Sequence, residues 1–127
     1  MNAEKISLDY LEHILLTTGE EGQDLYHTFS NTASLYTSTT TAIVNEQHLL
    51  SMARRNNDSE ALELYQYNLA EFKTEEQKVV HQLEQLAKTI NLHLKKNKTN
   101  YALPEETSEL ESLAKELTMQ TFERRKR

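Results

Sequence analysis

Histidine and carboxylate side chains are the groups of this chain that could bind a metal ion. Helical bundles that bind two iron ions place a glutamate three residues before a histidine. None of the histidines follows a glutamate at that distance, and only His27 follows an acidic residue, Asp24. The five histidines are His13, His27, His48, His81 and His93. The spacing therefore predicts neither a metal site nor a cofactor, and an enzyme whose carboxylates and histidines meet across helices stays the alternative.

Hydroxyl side chains are the second group with chemical potential. Nine of the fourteen residues 28–41 are serine or threonine. An activated serine needs a strained turn such as Gly-x-Ser-x-Gly and a positioned base, and neither pattern occurs in the sequence. With only two glycines, the chain also lacks a glycine-rich loop for phosphate. We therefore expect a non-enzymatic protein whose hydroxyl groups pack between helices.

The net charge of residues 1–123 argues against a protein that binds nucleic-acid phosphates. The last four residues, Arg124–Arg127, are all basic, and the other 123 residues hold 10 basic and 20 acidic side chains. Their net charge of −10 repels a nucleic-acid backbone. Cations at the end of a helix complement its dipole, which is the simpler role for this tail. A nucleic-acid-associated protein that uses the tail is kept as a further alternative.

Composition also bears on location. Cysteine is absent, so disulfides and thiolate sites are excluded, and a reducing compartment fits. The first 18 residues contain Glu4, Asp9, Glu12 and His13 where a signal peptide would be apolar. No stretch approaches 18 apolar residues, so no membrane span is expected. We expect a cytoplasmic protein.

Few residues break the chain into elements. The breaks are Gly19 with Gly22, the polar cluster 54–59, and Pro104. Every segment between them has apolar residues at helical spacing. The sequence predicts one helical domain over residues 1–127, with helices at 6–18, 23–54, 59–96 and 104–124 and a polar linker at 97–103.

The second segment has an apolar stripe with a period of seven, which is typical of a long packed helix. The stripe is Phe29, Tyr36, Ile43 and Leu50, with Leu35, Ala42 and Leu49 each one residue before one of its members. Threonine favours strands over helices, so a strand at 34–44 is an open alternative. We prefer a helix that packs on more than one side, because no turn residue interrupts the segment and no second strand is predicted.

The third segment carries the clearest pattern, a 3–4 spacing over nearly five heptads. Its positions are Leu62, Tyr65, Leu69, Phe72, Glu76, Val79, Leu83, Leu86, Ile90 and His93. The two polar members, Glu76 and His93, are predicted to fix register or partner choice. They are about 25 Å apart along a helix and cannot share one ion.

Residues at the ends of the segments fit helix caps. Ser7 is placed to cap the first helix, and Asp58 or Ser59 the third. Pro104 suits the first turn of the fourth helix, and Ser108 with Glu111 has the spacing of a capping box.

The whole pattern predicts an all-α fold, a long antiparallel coiled-coil-like hairpin with two shorter helices in bundle packing. The short helices can cover only part of the long pair, so apolar surface remains for a partner. We expect an adaptor or dedicated chaperone that assembles with a helical partner or with itself. The predicted interface is Phe29, Tyr36, Ile43, Leu50, Leu62, Tyr65, Leu69, Phe72, Val79, Leu83, Leu86 and Ile90.

Overall fold

Four helices and one pair of very short strands form the chain in a computed structural model that describes residues 4–126. In chain order the elements are β1 (Glu4–Lys5), α1 (Leu8–Thr17), α2 (Gly19–Arg55), α3 (Ser59–Lys96), β2 (Tyr101–Ala102) and α4 (Thr107–Lys126). The helices make up 85% of the structure and pack against each other. The predicted all-α fold class is confirmed.

The two long helices, α2 and α3, form an antiparallel hairpin, each about 55 Å long. Asn57 takes a left-handed conformation, with φ of 54°, which asparagine adopts more readily than most residues. Asp58 then caps α3, because its side chain accepts a hydrogen bond of 3.1 Å from the Ala61 amide. The predicted bounds of this helix, 59–96, are confirmed.

The threonine-rich stretch at 34–44 is helical, so the strand alternative is wrong. Its hydroxyl groups donate to carbonyl groups one turn earlier in the same helix. Thr39 bonds to the Leu35 carbonyl at 2.8 Å, and Thr41 bonds to the Thr37 carbonyl at 3.0 Å. These bonds satisfy the side chains inside the helix and remove their need for another partner.

The junction of α1 and α2 is tighter than predicted. The second helix begins at Gly19 and not at 23, because the positive φ of Gly19, 88°, makes the turn alone. Gly22, which is predicted to separate the first two helices, is a buried residue inside α2. A Cβ atom there would lie 2.3 Å from the Leu15 carbonyl oxygen, so glycine allows α1 to approach α2 closely.

The main core lies at the end of the hairpin away from the turn. There α2 contacts α1, α3 and α4, which confirms that this helix packs on more than one side. All buried residues of α3 lie at Val79 or later. The core residues are Ile6, Leu8, Leu11, Ile14, Leu15, Phe29, Ala33, Tyr36, Val79, Leu83, Ala87, Ile90, Leu94, Leu103, Leu110, Leu113, Ala114 and Leu117.

The linker at 97–103 contains β2, a strand that the sequence did not predict. β2 pairs in parallel with β1, and the Ile6 amide donates to the Ala102 carbonyl at 3.1 Å. The side chain of Asn91 bonds both backbone groups of Leu103, at 2.7 and 3.0 Å. The linker is thereby attached to β1 and α3, and α4 docks on the bundle.

The start of α4 also differs from the prediction. It begins at Thr107, three residues after Pro104, and the Leu110 amide bonds to the Glu106 carbonyl. Ser108 lies inside the first turn, and the Glu111 carboxylate accepts a hydrogen bond from Tyr36 of α2. The predicted capping box is therefore wrong, because Glu111 serves a contact between helices.

Candidate interaction surface

Where it passes the core, the hairpin of α2 and α3 has one covered and one uncovered side. On the covered side, Ala33, Ala87 and Leu94 are completely buried by the core. On the other side lies a row of residues that we call the open face. Each of its members comes one residue before a member of the apolar stripe of α2 or of the 3–4 apolar row of α3, which we also call a stripe. It consists of Thr28, Leu35, Ala42 and Leu49 of α2 and Ala61, Asn68, Glu75, Gln82 and Thr89 of α3. All are exposed or half-buried.

At its core end, the open face contains a groove between the two helices. The lining residues are Thr28, Thr32, His81, Gln82, Gln85, Leu86 and Thr89. None is acidic or basic apart from the histidine, and Leu86 gives the groove a half-buried apolar floor.

Beyond the core the hairpin continues as two helices alone, and we call residues 40–76 the hairpin arm. On α2 its residues Ile43, Leu50 and Ala53 are buried. On α3 none is buried: Leu62, Tyr65, Leu69 and Phe72 are all half-exposed. Two helices alone therefore leave these apolar layers partly open.

Large apolar side chains border the open face. Met52 is 45% exposed, Leu64 55% and Leu92 69%. Each lies two residues after a stripe position, which places it at the edge of this side of its helix. Val44, 62% exposed, lies on the other side of α2. It can serve as a control position for substitutions at the edge of the open face.

The two edges of the open face differ in charge. From 25 to 53, α2 carries a single formal charge, on Glu46. On α3, Glu71 and Glu75 are both exposed. Within the described residues neither carboxylate has an ion-pair partner. Lys78 lines the same cleft as Glu71 and Glu75, so this edge carries two anions and one cation. One edge of the face is thus uncharged, and the other has a net negative charge.

Glu46 itself occupies a stripe position that sequence reasoning missed. Thr39, Glu46 and Ala53 recur at a spacing of seven, and all three are at least half-buried. The Glu46 Oε2 atom is buried and has no hydrogen-bond partner among the described residues. An unpaired buried carboxylate oxygen destabilises the fold by about 1–3 kcal/mol.

The predicted interface residues form two facing rows, one on each long helix. Five of them, Phe29, Tyr36, Val79, Leu83 and Ile90, are enclosed in the core of the chain. Ile43 and Leu50 are buried within the arm, and Leu62, Tyr65, Leu69, Phe72 and Leu86 are half-buried. The enclosed five stabilise the hairpin, while a role of the half-buried residues in binding a partner stays a prediction.

The two polar stripe residues, Glu76 and His93, lie far apart. His93 is 3% exposed and connects α3 to α2 and to Thr18, the residue between α1 and α2. Its Nε2 atom lies 2.7 Å from Thr18 Oγ1, and its Nδ1 atom lies 3.6 Å from Glu21 Oε1. Glu76 is half-buried in the arm, where its charge adds to the raised pKa of Tyr36. Selection of partner register by either residue stays a prediction.

The basic tail begins with a contact inside the chain. The Arg124 guanidinium donates two hydrogen bonds to Glu12 of α1, at 2.9 and 3.2 Å, and lies 3.6 Å from Asp9. These carboxylates raise the pKa of Arg124, with Glu12 the larger cause. The side chains of residues 125–127 lie outside the described residues.

Among the described residues, no group of three or more His, Asp or Glu side chains is placed to hold a metal ion. None of the four helices within residues 4–126 has the length and apolar character needed to cross a bilayer. Comparisons with protein-family models, with curated proteins and with solved structures gave no match.

Proposed function

We propose that this protein is a non-enzymatic helical interaction module, an adaptor or dedicated chaperone that binds its partner on the open face. The observation that carries the proposal is the half-open core of the hairpin arm. Leu62, Tyr65, Leu69 and Phe72 form one wall of that core and stay half-exposed, because no third helix covers them.

The wider surface supports the same proposal. Edge residues Met52, Leu64 and Leu92 add apolar area along both ends of the hairpin. Half-buried aromatic and aliphatic residues at the centre of a groove are typical anchors for a partner helix. A cytoplasmic location is part of the proposal, supported by the absence of cysteine.

The test compares substitutions on the two sides of the hairpin. Leu64→Glu and Leu92→Glu place a charge at the edge of the open face, and Val44→Glu places one on the other side. All three positions are exposed, so each variant should fold with wild-type helicity. Affinity purification of each from the native host, with the stoichiometry of co-purifying proteins, measures the effect.

We expect a stoichiometric partner with wild type and with Val44→Glu, and its loss with Leu64→Glu and Leu92→Glu. If all four proteins retain the same partner, the open face is not the binding surface. If all four are recovered alone and monomeric, the interaction proposal itself fails.

A further inference from the structure

The dimensions of the open face match a single long helix. The open face extends about 32 Å along α2, from Thr28 to Leu49, and about 42 Å along α3, from Ala61 to Thr89. A straight helix of about 25 residues is about 37 Å long, between these two lengths. The groove at the core end, with Leu86 at its floor, and the half-open layers of the arm both lie between α2 and α3. A third helix laid along this line would cover both parts at once.

The charge of the surface defines the kind of helix. The arm, residues 40–76, carries seven acidic and three basic side chains, a net charge of −4. Glu71 and Glu75 lie on the α3 edge without ion-pair partners among the residues the structure describes. Within residues 4–126, Lys78 is the one cation that lines the same cleft, so the edge keeps a net negative charge. A second copy of the chain, with its own net charge of −6, would bring like charges together.

We infer that the open face binds a basic amphipathic helix of another protein. This inference rests on the proposed function and adds the chemistry of the partner. Apolar residues of the helix fill the seam between α2 and α3, next to Leu49 and Leu86. Its lysine or arginine side chains lie on the α3 side, where they pair with Glu71 and Glu75. The opposite flank meets the uncharged edge of α2.

A synthetic peptide is the probe. It has about 25 residues, leucine at a 3–4 spacing, and lysine along one flank of the leucine stripe. A second peptide carries glutamate at each lysine position. Binding of both to the full chain is measured by fluorescence anisotropy in about 0.1 M salt, where surface charges still interact over roughly 10 Å.

Two double variants distinguish binding at the acidic edge of the open face from a general electrostatic attraction to the chain. Glu71→Lys with Glu75→Lys reverses the acidic edge of the open face. Glu63→Lys with Glu116→Lys makes the same change in net charge at exposed positions outside the open face. We expect the lysine peptide to bind wild type, the first variant to bind it about tenfold more weakly, and the second to change affinity by about twofold or less.

Several results would overturn the inference. Equal binding of the glutamate peptide, or an equal loss in both double variants, contradicts recognition of a basic helix. Self-association of the chain that Leu64→Glu abolishes and Val44→Glu preserves would make a second copy the occupant. In these cases the proposed function still stands if the host partner is lost only on substitution of the open face.

Discussion

The hydroxyl group of Tyr36 on α2 donates a hydrogen bond to the carboxylate of Glu111 on α4. Tyr36 is 1% exposed, and the Lys115 ammonium lies 6.0 Å from the centre of its ring. Burial and the bond to Glu111 raise the pKa of this phenol well above its ordinary value of 10.0. The bond joins α4 to the hairpin at the boundary between the core and the arm.

Substitution Tyr36→Phe should weaken the attachment of α4. The ring still fills the core, but the half-buried Glu111 carboxylate loses its donor. We expect the free energy of unfolding to fall by about 1–3 kcal/mol. Urea unfolding followed by circular dichroism measures the loss, with Tyr67→Phe, an exposed tyrosine of the arm, as the control. An equal change in both variants would show that the Tyr36 bond contributes no stability.

Tyr36 also predicts that the free energy of unfolding depends on pH in the alkaline range. Because the folded state raises the pKa of Tyr36, the unfolded chain releases this proton first, and the folded chain binds more protons above pH 10. The stabilisation is complete below pH 10 and decreases as pH rises above it. Unfolding free energies measured from about pH 8 to 11 should therefore fall more steeply for wild type than for Tyr36→Phe. Parallel curves would contradict this assignment.

Gly22 makes a contact that no larger residue can make. A Cβ atom would lie 2.3 Å from the Leu15 carbonyl oxygen and 3.1 Å from His93 Nε2. Alanine in a helix normally stabilises by about 1 kcal/mol relative to glycine. We expect Gly22→Ala to do the opposite and to lower the melting temperature, because α1 and α3 must move away from α2. A higher melting temperature than wild type would show that these helices are not in contact at Gly22.

The sequence predicted the two long helices well, because their apolar residues repeat over many turns. The bounds of α3 agree with the prediction at both ends. The predicted start of α2 is wrong because the sequence does not distinguish a glycine that permits close helix packing, such as Gly22, from one that makes a turn, such as Gly19. β1 and β2 have two residues each, which is too short for an alternating pattern to be detected.

The candidate surface was only partly accessible to sequence reasoning. The spacing groups Leu35, Ala42 and Leu49 with the apolar stripe of the second segment, but in the structure they line its uncovered side. Periodicity shows which residues share a helix face, but it does not show where a short helix will dock. Glu46 was missed because an acidic residue interrupts the apolar pattern that defines a stripe.

Replacement of Glu46 should increase stability. Its Oε2 atom is buried without a hydrogen-bond partner, so a leucine of similar volume removes an unsatisfied group and extends the apolar layer. We expect Glu46→Leu to raise the free energy of unfolding by about 1–3 kcal/mol. Glu63→Leu, at an exposed position of the same arm, should change it by about 0.5 kcal/mol or less. Destabilisation by Glu46→Leu would show that the carboxylate has a stabilising partner.

The threonine run offers a test of which side of α2 is packed. Thr39 is 6% exposed and faces α3, while Thr41 is exposed. Thr39→Glu places an unpaired carboxylate in the hairpin, and we expect it to lower the free energy of unfolding by about 3–5 kcal/mol. Thr41→Glu should change this free energy by about 0.5 kcal/mol or less. Thermal unfolding followed by circular dichroism compares the two variants, and equal tolerance of both would mean that this part of α2 does not pack on α3.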